Sequence, residues 1–214
     1  PYSFAAAVRL ATAFFACHWI IFRIAGVNHF WFSWAAFHPE TRVYRPDASS
    51  ADPEETTDRA AADLVADFEI RLYQGEDMLG ASSVMLSDVL AQRKPVVLNV
   101  WAGLCPICRQ EMPELQDAYE AYGSQVLIVG IDVGPFVGLG SEEDALSLLD
   151  ELSITYPAGT AADAGVIRDY QVLGTPTTYF VTPSGEIVER WSGFLTENQL
   201  TTKIEELIEV SAGS

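Results

Sequence analysis

The sequence predicts an α/β fold from Asp67 onward, in which strands of a sheet alternate with helices. Two observations lead to this prediction. The runs Val96–Trp101 and Val126–Asp132 are apolar and rich in β-branched residues, as is typical of strands buried in the centre of a sheet. The pattern then closes with a strand hairpin and an amphipathic helix, which completes one domain.

The first elements follow from turn residues and apolar runs. Phe68–Leu72 is predicted as a strand, with Gly75 and Gly80 at turn positions. Leu86–Ala91 is predicted as a short helix. After the buried strand Val96–Trp101, a proline at a helical first position opens a helix that runs to about residue 122.

The later elements have clearer boundary signals. Ser141 and the three acidic residues after it suit the N-cap and first turn of a helix. The Pro-Ser-Gly sequence at 183–185 has the chemistry of a turn and predicts a hairpin. The remaining predictions are a helix over Ala161–Tyr170, hairpin strands over Thr177–Val181 and Glu186–Trp191, and a closing helix over Thr196–Val210.

Charge and cysteine content exclude several classes of protein. The 214 residues contain 12 Lys and Arg against 30 Asp and Glu, so the net charge is -18. Such a chain repels phosphate backbones, and nucleic acid is not expected as a partner. Only three cysteines occur, which excludes a small scaffold held together by disulfides.

Residues 1–38 differ in character from the rest of the chain. They are rich in Ala, Phe, Trp and Ile and contain no acidic residue, and they are long enough for one membrane crossing of about 20 residues. Arg9 and Arg23 oppose this interpretation, because a mid-bilayer charge costs on the order of 3 kcal/mol. We therefore expect an apolar helical membrane anchor, with a buried helix or a non-native stretch as alternatives. Residues 39–66 are interpreted as an acidic linker before the domain of residues 67–214.

The motif Cys105-Pro106-Ile107-Cys108 stands where a buried strand runs into a helix. Pro106 suits the first helical position, which places Cys105 at the N-cap. There its sulfur faces free backbone N–H groups and the positive end of the helix dipole, and both favour the thiolate. Cys105 is thus the candidate nucleophile, and Cys108, one turn further on, is placed to resolve a mixed disulfide.

A zinc site and inert thiols are the alternative interpretations of this pair. Structural zinc requires four ligands, and the other Cys and His side chains all lie in the apolar N-terminal segment: Cys17, His18, His29 and His38. We therefore expect no metal and no cofactor apart from a redox-active disulfide between Cys105 and Cys108.

The stretch from Asp67 to about Val210 resembles the thioredoxin superfamily, and more closely its TlpA/ResA-like branch. The resemblance covers about two thirds of the chain. Three linked motifs carry it: Val96-Val97-Leu98-Asn99-Val100-Trp101-Ala102, Cys108-Arg109-Gln110-Glu111-Met112-Pro113-Glu114-Leu115 and Gly174-Thr175-Pro176-Thr177-Thr178. It implies a thioredoxin-like fold with a central mixed sheet flanked by helices.

The resemblance also implies residues that meet the substrate. Pro176 resembles the family's cis-proline, which would lie across from the cysteines and present the Thr175 backbone to an extended substrate segment. An ordinary trans-proline at the start of an edge strand is the alternative. The family often has Trp before the first cysteine, where this chain has Leu104. Trp101 is interpreted as core packing beneath the site.

Glu111 matches a carboxylate that the ResA-like branch keeps near its cysteines. It follows Cys108 by three residues, so it could influence cysteine protonation or move a proton, although a solvated surface glutamate remains the alternative. Many thioredoxins have a buried Asp where this chain has Asn99, which cannot take a proton. Glu111 is therefore the carboxylate that we expect to exchange a proton with the cysteines.

The 67 residues between Cys108 and Pro176 exceed what a minimal thioredoxin uses. The surplus resembles the central insertion of the TlpA/ResA-like branch. The glycine-rich stretch 134–140 within it lacks the Lys and Ser/Thr of a phosphate-binding loop and is predicted to be a flexible rim near the site.

Together these features imply a thiol–disulfide oxidoreductase that acts on protein disulfides outside the cytoplasm, on the extracytoplasmic face of a membrane. Protein thiols and a membrane redox partner are the implied partners, and cytochrome c maturation is one suitable task. The alternative is a thioredoxin-like interaction subunit of a membrane complex with little turnover. Peroxide reduction is not expected, because the chain lacks the Thr-x-x-Cys setting of peroxiredoxins. Copper delivery is not expected either, because the domain contains no histidine.

Overall fold

The structure of the chain is a computed structural model that describes residues 63–213. These residues form a seven-stranded sheet with helices on both faces. In chain order the elements are β1 (Glu69–Gln74), α1 (Glu76–Leu79), β2 (Ser83–Met85), α2 (Leu86–Leu90), β3 (Val96–Trp101), α3 (Pro106–Tyr122), β4 (Leu127–Asp132), α4 (Gly134–Val137), α5 (Glu142–Glu151), β5 (Ala158–Ala161), α6 (Gly165–Asp169), β6 (Thr177–Val181), β7 (Ile187–Ser192) and α7 (Glu197–Ala212).

The sheet is mixed, as the resemblance implied. Its strand order is β2-β1-β5-β4-β3-β6-β7. β3 runs parallel to β4 and antiparallel to β6, and β4 runs parallel to β5. All six residues of β3 and all six of β4 are buried, because helices cover both faces of these central strands. The prediction of a buried strand immediately before the cysteines is therefore confirmed.

Two apolar cores lie on opposite faces of the sheet. Val97 and Trp101 of β3 point into the core that α3, α5 and α7 cover. Val96, Leu98 and Val100 point into the other core, which α2 and α6 cover. This alternation follows from the two-residue period of a strand. Val97 and Trp101 are therefore the apolar residues of β3 that face α3, the helix that begins at the cysteines.

The predicted helix over Ala161–Tyr170 is wrong in its first half. Ala158–Ala161 forms β5, which pairs with both β1 and β4, and only Gly165–Asp169 is helical. A Cβ at Gly159 would come within 2.2 Å of the Arg71 carbonyl oxygen, so this segment meets its neighbouring backbone closely. Ala161 pairs with Ile70 of β1 at the end of β5, so the chain must turn before the helix begins at Gly165.

Residues 63–66, the described part of the predicted linker, contact the hairpin of β6 and β7. The Val65 N–H donates to the Gly185 carbonyl at 2.9 Å, and the Ile187 N–H donates to the Asp63 carbonyl at 2.8 Å. The predicted domain boundaries at 38 and 66 stay predictions. The apolar segment 1–38 lies outside the described residues, and within 63–213 no helix is long and apolar enough to cross a membrane.

Candidate active site

Cys105 lies at the N-cap of α3, as the motif indicated. Its backbone is extended, with φ -81° and ψ 114°, and Pro106 occupies the first turn. The Cys108 N–H donates to the Cys105 sulfur at 3.1 Å. The two cysteines form a disulfide, with their Cα atoms 5.3 Å apart. A helix N-terminus and a donated N–H both stabilise negative charge on a sulfur, so the reduced Cys105 is set up as a thiolate.

The two cysteines differ in their access to solvent. Cys105 is 5% exposed and Cys108 is 1% exposed, so both belong to the core beneath α3. Two apolar side chains of this segment are open to solvent: Leu104, directly before Cys105, is 58% exposed, and Ile107, directly before Cys108, is 43% exposed. A partner therefore meets an apolar rim and reaches Cys105 before Cys108.

The loop before β6 lies against the first cysteine. The peptide bond between Thr175 and Pro176 is cis, and Pro176 is buried. The Thr175 carbonyl oxygen lies 3.6 Å from the Cys105 sulfur. The Gly193 N–H donates to the Pro176 carbonyl at 2.9 Å and holds the loop on its other side. The alternative of a trans-proline is therefore wrong, and the loop is placed where the resemblance put it.

Glu111 points into the core, so the alternative of a surface glutamate is wrong. Its side chain is 1% exposed. Among residues 63–213, neither of its carboxyl oxygens has a close hydrogen-bond partner. Burial raises the pKa of Glu111 to about 8, while the Leu195 N–H and the Thr178 hydroxyl, which face the carboxyl, lower it in part. The group therefore exchanges its proton near neutral pH.

Asn99 and Thr178 lie on adjacent antiparallel strands on the same face of the sheet. They are partners in the register of β3 and β6, and the Asn99 side-chain N–H donates to the Thr178 hydroxyl at 2.9 Å. Both residues are buried. Their amide and hydroxyl groups give Glu111 a polar but non-titrating neighbourhood, which is consistent with Glu111 as the proton-binding group.

Trp101 and Tyr156 pack under the same face of the sheet and are fully buried. Gly130 makes room for both, since a Cβ there would lie 2.8 Å from the Trp101 indole nitrogen and 3.2 Å from the Tyr156 ring. Within the described part of the chain, the indole N–H and the Tyr156 hydroxyl have no hydrogen-bond partner. Burial and, to a lesser extent, the Glu111 carboxylate raise the pKa of Tyr156. Trp101 is thus a core residue, as the sequence indicated.

Sequence reasoning missed Thr178 and Tyr156 as neighbours of Glu111. The sequence offered a signal for Thr178, because it follows Pro176 by two residues in an extended segment, and alternate residues of such a segment point to the same side. No local pattern identified Tyr156, which follows α5 in a segment without regular structure. Its place beside Glu111 depends on packing between distant segments.

Comparison with known proteins assigns the chain to a family. A profile of the AhpC/TSA family matches residues 61–190. The chain belongs to the AhpC/TSA family. Within it, the chain is 35% identical to the thiol-disulfide oxidoreductase ResA of Oceanobacillus iheyensis over 141 residues, which are 64% of this chain and 68% of the relative.

A second sequence relative and one solved structure also resemble this AhpC/TSA-family chain. It is 37% identical to the thiol:disulfide interchange protein DsbE of Escherichia coli K12 over 113 residues, or 51% of this chain and 55% of the relative. A putative DsbE from Chlorobium tepidum superposes with a TM-score of 0.57 at 22% identity, over 69% of this chain and 96% of that structure. The predicted thioredoxin-like fold and the predicted enzyme class, a thiol–disulfide oxidoreductase, are confirmed. The central insertion stays a prediction.

The buried Glu111 predicts a pH-dependent stability that Glu111→Gln removes. Because its pKa is raised in the folded state, Glu111 keeps its proton there while the unfolded chain releases it, so stability falls as pH rises from about 4.5 to about 8. The loss amounts to at most about 5 kcal/mol, since one pKa unit corresponds to about 1.36 kcal/mol. Urea unfolding of the oxidised protein at pH 5 and pH 8.5 measures it, because disulfide-bonded cysteines do not titrate.

The neutral variant should lose much less stability over this interval than the wild type. Asp117→Asn is the matched control, because Asp117 is an exposed carboxylate on the same helix. Its pH dependence should follow that of the wild type. Equal slopes for wild type and Glu111→Gln would contradict the assignment of a raised pKa to Glu111.

Proposed function

We propose that this chain reduces or exchanges disulfides of other proteins through Cys105 and Cys108, while held at the extracytoplasmic face of a membrane. The observation that carries the proposal is the setting of Cys105. Its sulfur lies at a helix N-terminus, accepts the Cys108 N–H, and faces the Thr175 carbonyl at the more exposed end of the cysteine pair. This arrangement suits a nucleophile that meets an incoming disulfide.

The exchange begins from the reduced pair. The Cys105 thiolate attacks one sulfur of a substrate disulfide, a Cys105–substrate bond forms, and the substrate S–S bond breaks and releases one substrate thiolate. The Cys108 thiol then loses its proton and attacks the Cys105 sulfur. The Cys105–Cys108 disulfide forms and the second substrate thiolate leaves. Two electrons pass to the substrate. The two substrate thiolates take up two protons, which equal in number the one that Cys108 releases and the one that Cys105 released when its thiolate formed.

The remaining site residues have supporting roles in this proposal. The Thr175 backbone, Pro176 and Leu104 contact the substrate around Cys105. Glu111 accepts or returns the proton that Cys108 exchanges, because it is buried beneath the same helix start and titrates near neutral pH. Asn99 keeps this neighbourhood polar without a second titrating group.

Other residues hold the site in place. Pro106 fixes the first turn of α3, and Trp101 fills the core behind it. Within residues 63–213 no grouping of three or more His, Cys, Asp or Glu side chains could hold a metal ion. A reaction without metal or organic cofactor remains our proposal, and it rests on the cysteine pair supplying both electrons.

Re-reduction of the Cys105–Cys108 disulfide requires two electrons in each cycle, and we propose a membrane redox partner as their source. The apolar segment 1–38 supports a location at the membrane. The cysteine pair of an apocytochrome c is the protein substrate that we propose to test, on the basis of the family resemblance described above.

The cysteine roles predict two different phenotypes. Cys105→Ser should abolish reduction of insulin disulfides, because the attacking sulfur is gone. Cys108→Ser should accumulate mixed disulfides with substrate, because the resolving thiol is gone. Non-reducing electrophoresis and a turbidity assay for insulin reduction measure the two effects.

Cys17→Ser is the control for the third cysteine of the chain and should leave both readouts unchanged. Retention of wild-type insulin reduction by Cys105→Ser would contradict the catalytic assignment. It would favour the interaction subunit with little turnover.

The proposed role of Glu111 predicts coupled titration with the cysteines of the reduced protein. An ionised Glu111 disfavours a nearby thiolate by charge repulsion, so Glu111→Gln should lower the apparent pKa of the cysteine pair. Thiolate absorbance at 240 nm over a pH series measures this change in both proteins. Superimposable curves for wild type and variant would show that Glu111 has no part in cysteine protonation.

The membrane proposal predicts that deletion of residues 1–38 releases the protein from the membrane fraction. The full chain should stay in the pellet after an alkaline carbonate wash, because an apolar span resists extraction. The deleted chain should appear in the soluble fraction and keep its insulin reduction. Recovery of the undeleted chain in the soluble fraction before any wash would rule out an anchor.

A further inference from the structure

Asp132 is a second buried carboxylate near the cysteines, and the reaction described above does not use it. It is the last residue of β4, where it lies opposite Trp101 in the parallel register with β3. Its side chain is fully buried. The carboxyl ends of β3 and β4 meet at the same edge of the sheet, so Asp132 lies beside the start of the loop that leads to Cys105.

The carboxylate collects donors from three segments. One oxygen accepts the Gly134 N–H at 2.8 Å, and the other accepts the Tyr73 hydroxyl of β1 at 3.1 Å. The Gly103 N–H also faces the carboxylate. The pKa of Asp132 is raised to about 6, mainly by burial and slightly by Glu142, although the three donors lower it in part. Asp132 is therefore mainly ionised at neutral pH, as these donors require.

The segments of Gly103 and Gly134 are also connected to each other by backbone hydrogen bonds, through Leu139. The Leu104 N–H donates to the Leu139 carbonyl at 2.8 Å, and the Leu139 N–H donates to the Gly134 carbonyl at 3.0 Å. Leu104 follows Gly103 directly. The Asp132 carboxylate thus closes a ring that runs through Gly134, Leu139, Leu104 and Gly103.

Glycines occupy both positions whose N–H groups face the carboxylate, and neither position has room for a side chain. A Cβ at Gly134 would lie 2.9 Å from the Asp132 carboxylate and 3.1 Å from the Leu139 carbonyl. A Cβ at Gly103 would lie 2.7 Å from the Ala145 backbone nitrogen of α5. Backbone N–H groups, without side chains, therefore meet the carboxylate.

The ring supports the apolar rim of the site. Leu104 is 58% exposed and Leu139 is 40% exposed, and their backbones are held together next to Cys105. We propose that Asp132 is a positioning residue for protein substrates, because its carboxylate fixes the two loops that present Leu104 and Leu139 beside Cys105. The inference rests on the proposed function, since it concerns how a protein disulfide is presented to that cysteine.

Asp132→Asn tests the proposal with little change of shape. The neutral amide has one acceptor oxygen instead of two and lacks the negative charge that strengthens the hydrogen bonds from the Gly134 N–H and the Tyr73 hydroxyl. The contacts of residue 132 with Gly134 and Gly103 should therefore weaken, and the ring should loosen. Tyr73→Phe is the matched control, because it removes the donor that lies outside the ring and leaves both backbone N–H groups in place.

The measurement compares two substrates with the full chain: insulin at steady state with dithiothreitol as electron donor, and a small disulfide in a single turnover of the pre-reduced protein without dithiothreitol. Insulin probes the rim, and 5,5′-dithiobis(2-nitrobenzoic acid) probes the cysteine chemistry without a large contact surface. For Asp132→Asn we expect a rise of about fivefold to tenfold in KM for insulin, comparable to the loss of one interface side chain. Its kcat for insulin and its rate with the small disulfide should stay within about twofold, a change of well under 1 kcal/mol. Tyr73→Phe should change none of these values beyond the same limit.

A double-mutant cycle tests whether Asp132 acts through the rim. Leu104→Ala should also raise KM for insulin, and the double variant should show less than the product of the two single effects, because both act on the same contact. Circular dichroism and thermal unfolding establish that each variant folds. Should Asp132→Asn not fold, Asp132→Ser replaces it, because the serine hydroxyl still offers an acceptor to the Gly134 N–H in a local turn.

The possible results separate the two proposals. An unchanged KM for insulin in Asp132→Asn, or an equal loss with insulin and the small disulfide, would overturn the positioning role and leave the proposed function intact. Multiplicative effects in the double variant would overturn it as well. A wild-type chain that reduces neither substrate would remove the proposed function, and this inference with it.

Discussion

The Cys105 sulfur accepts a backbone N–H at the start of α3, and the arrangement around it depends on where that helix begins. A helix N-terminus has unpaired N–H groups, and a sulfur at the N-cap satisfies one of them while gaining a favourable field for negative charge. β3 delivers the chain to this point, and its position is held by a parallel neighbour on one side and an antiparallel neighbour on the other. The second neighbour, β6, brings the Thr175 carbonyl to the same sulfur.

The polar groups beneath the cysteines reduce stability. Within residues 63–213, Glu111, Trp101 and Tyr156 each keep a buried polar atom without a hydrogen-bond partner, and an unsatisfied buried group costs about 1–3 kcal/mol. Glu111 lowers its own cost by holding a proton to higher pH. Buried groups with a shifted pKa are common at functional sites, although they reduce stability. The proposed proton exchange by Glu111 agrees with this pattern.

Chemistry and partner contact depend on different parts of the domain. The reactivity of Cys105 depends on the first turn of α3, which is local in sequence. The surface around it is assembled from loops that are far apart in the chain, and backbone hydrogen bonds between Leu104, Leu139 and Gly134 connect them. The geometry of Cys105 and the surface around it therefore rest on different contacts.

The sequence by itself determined the local part of this protein. The N-cap position of Cys105, the first-turn Pro106 and the buried strand Val96–Trp101 all follow from spacings of a few residues, where propensity and capping rules apply. The family motif added the cis peptide before Pro176, which no local rule requires. These features suffice to predict the fold and the candidate cysteine pair.

Only the tertiary structure decided what lies around the cysteines. It showed that Ala161 ends strand β5 and that the predicted helix begins only at Gly165, because β5 pairs with two strands distant in sequence. It also showed that Glu111 points inward toward Thr178 and Tyr156, and that Asp132 meets Tyr73 and the Gly134 N–H. Helical spacing limits Glu111 to one side of α3, but which side is buried depends on packing against segments more than 40 residues away, and local preferences carry no information about such contacts.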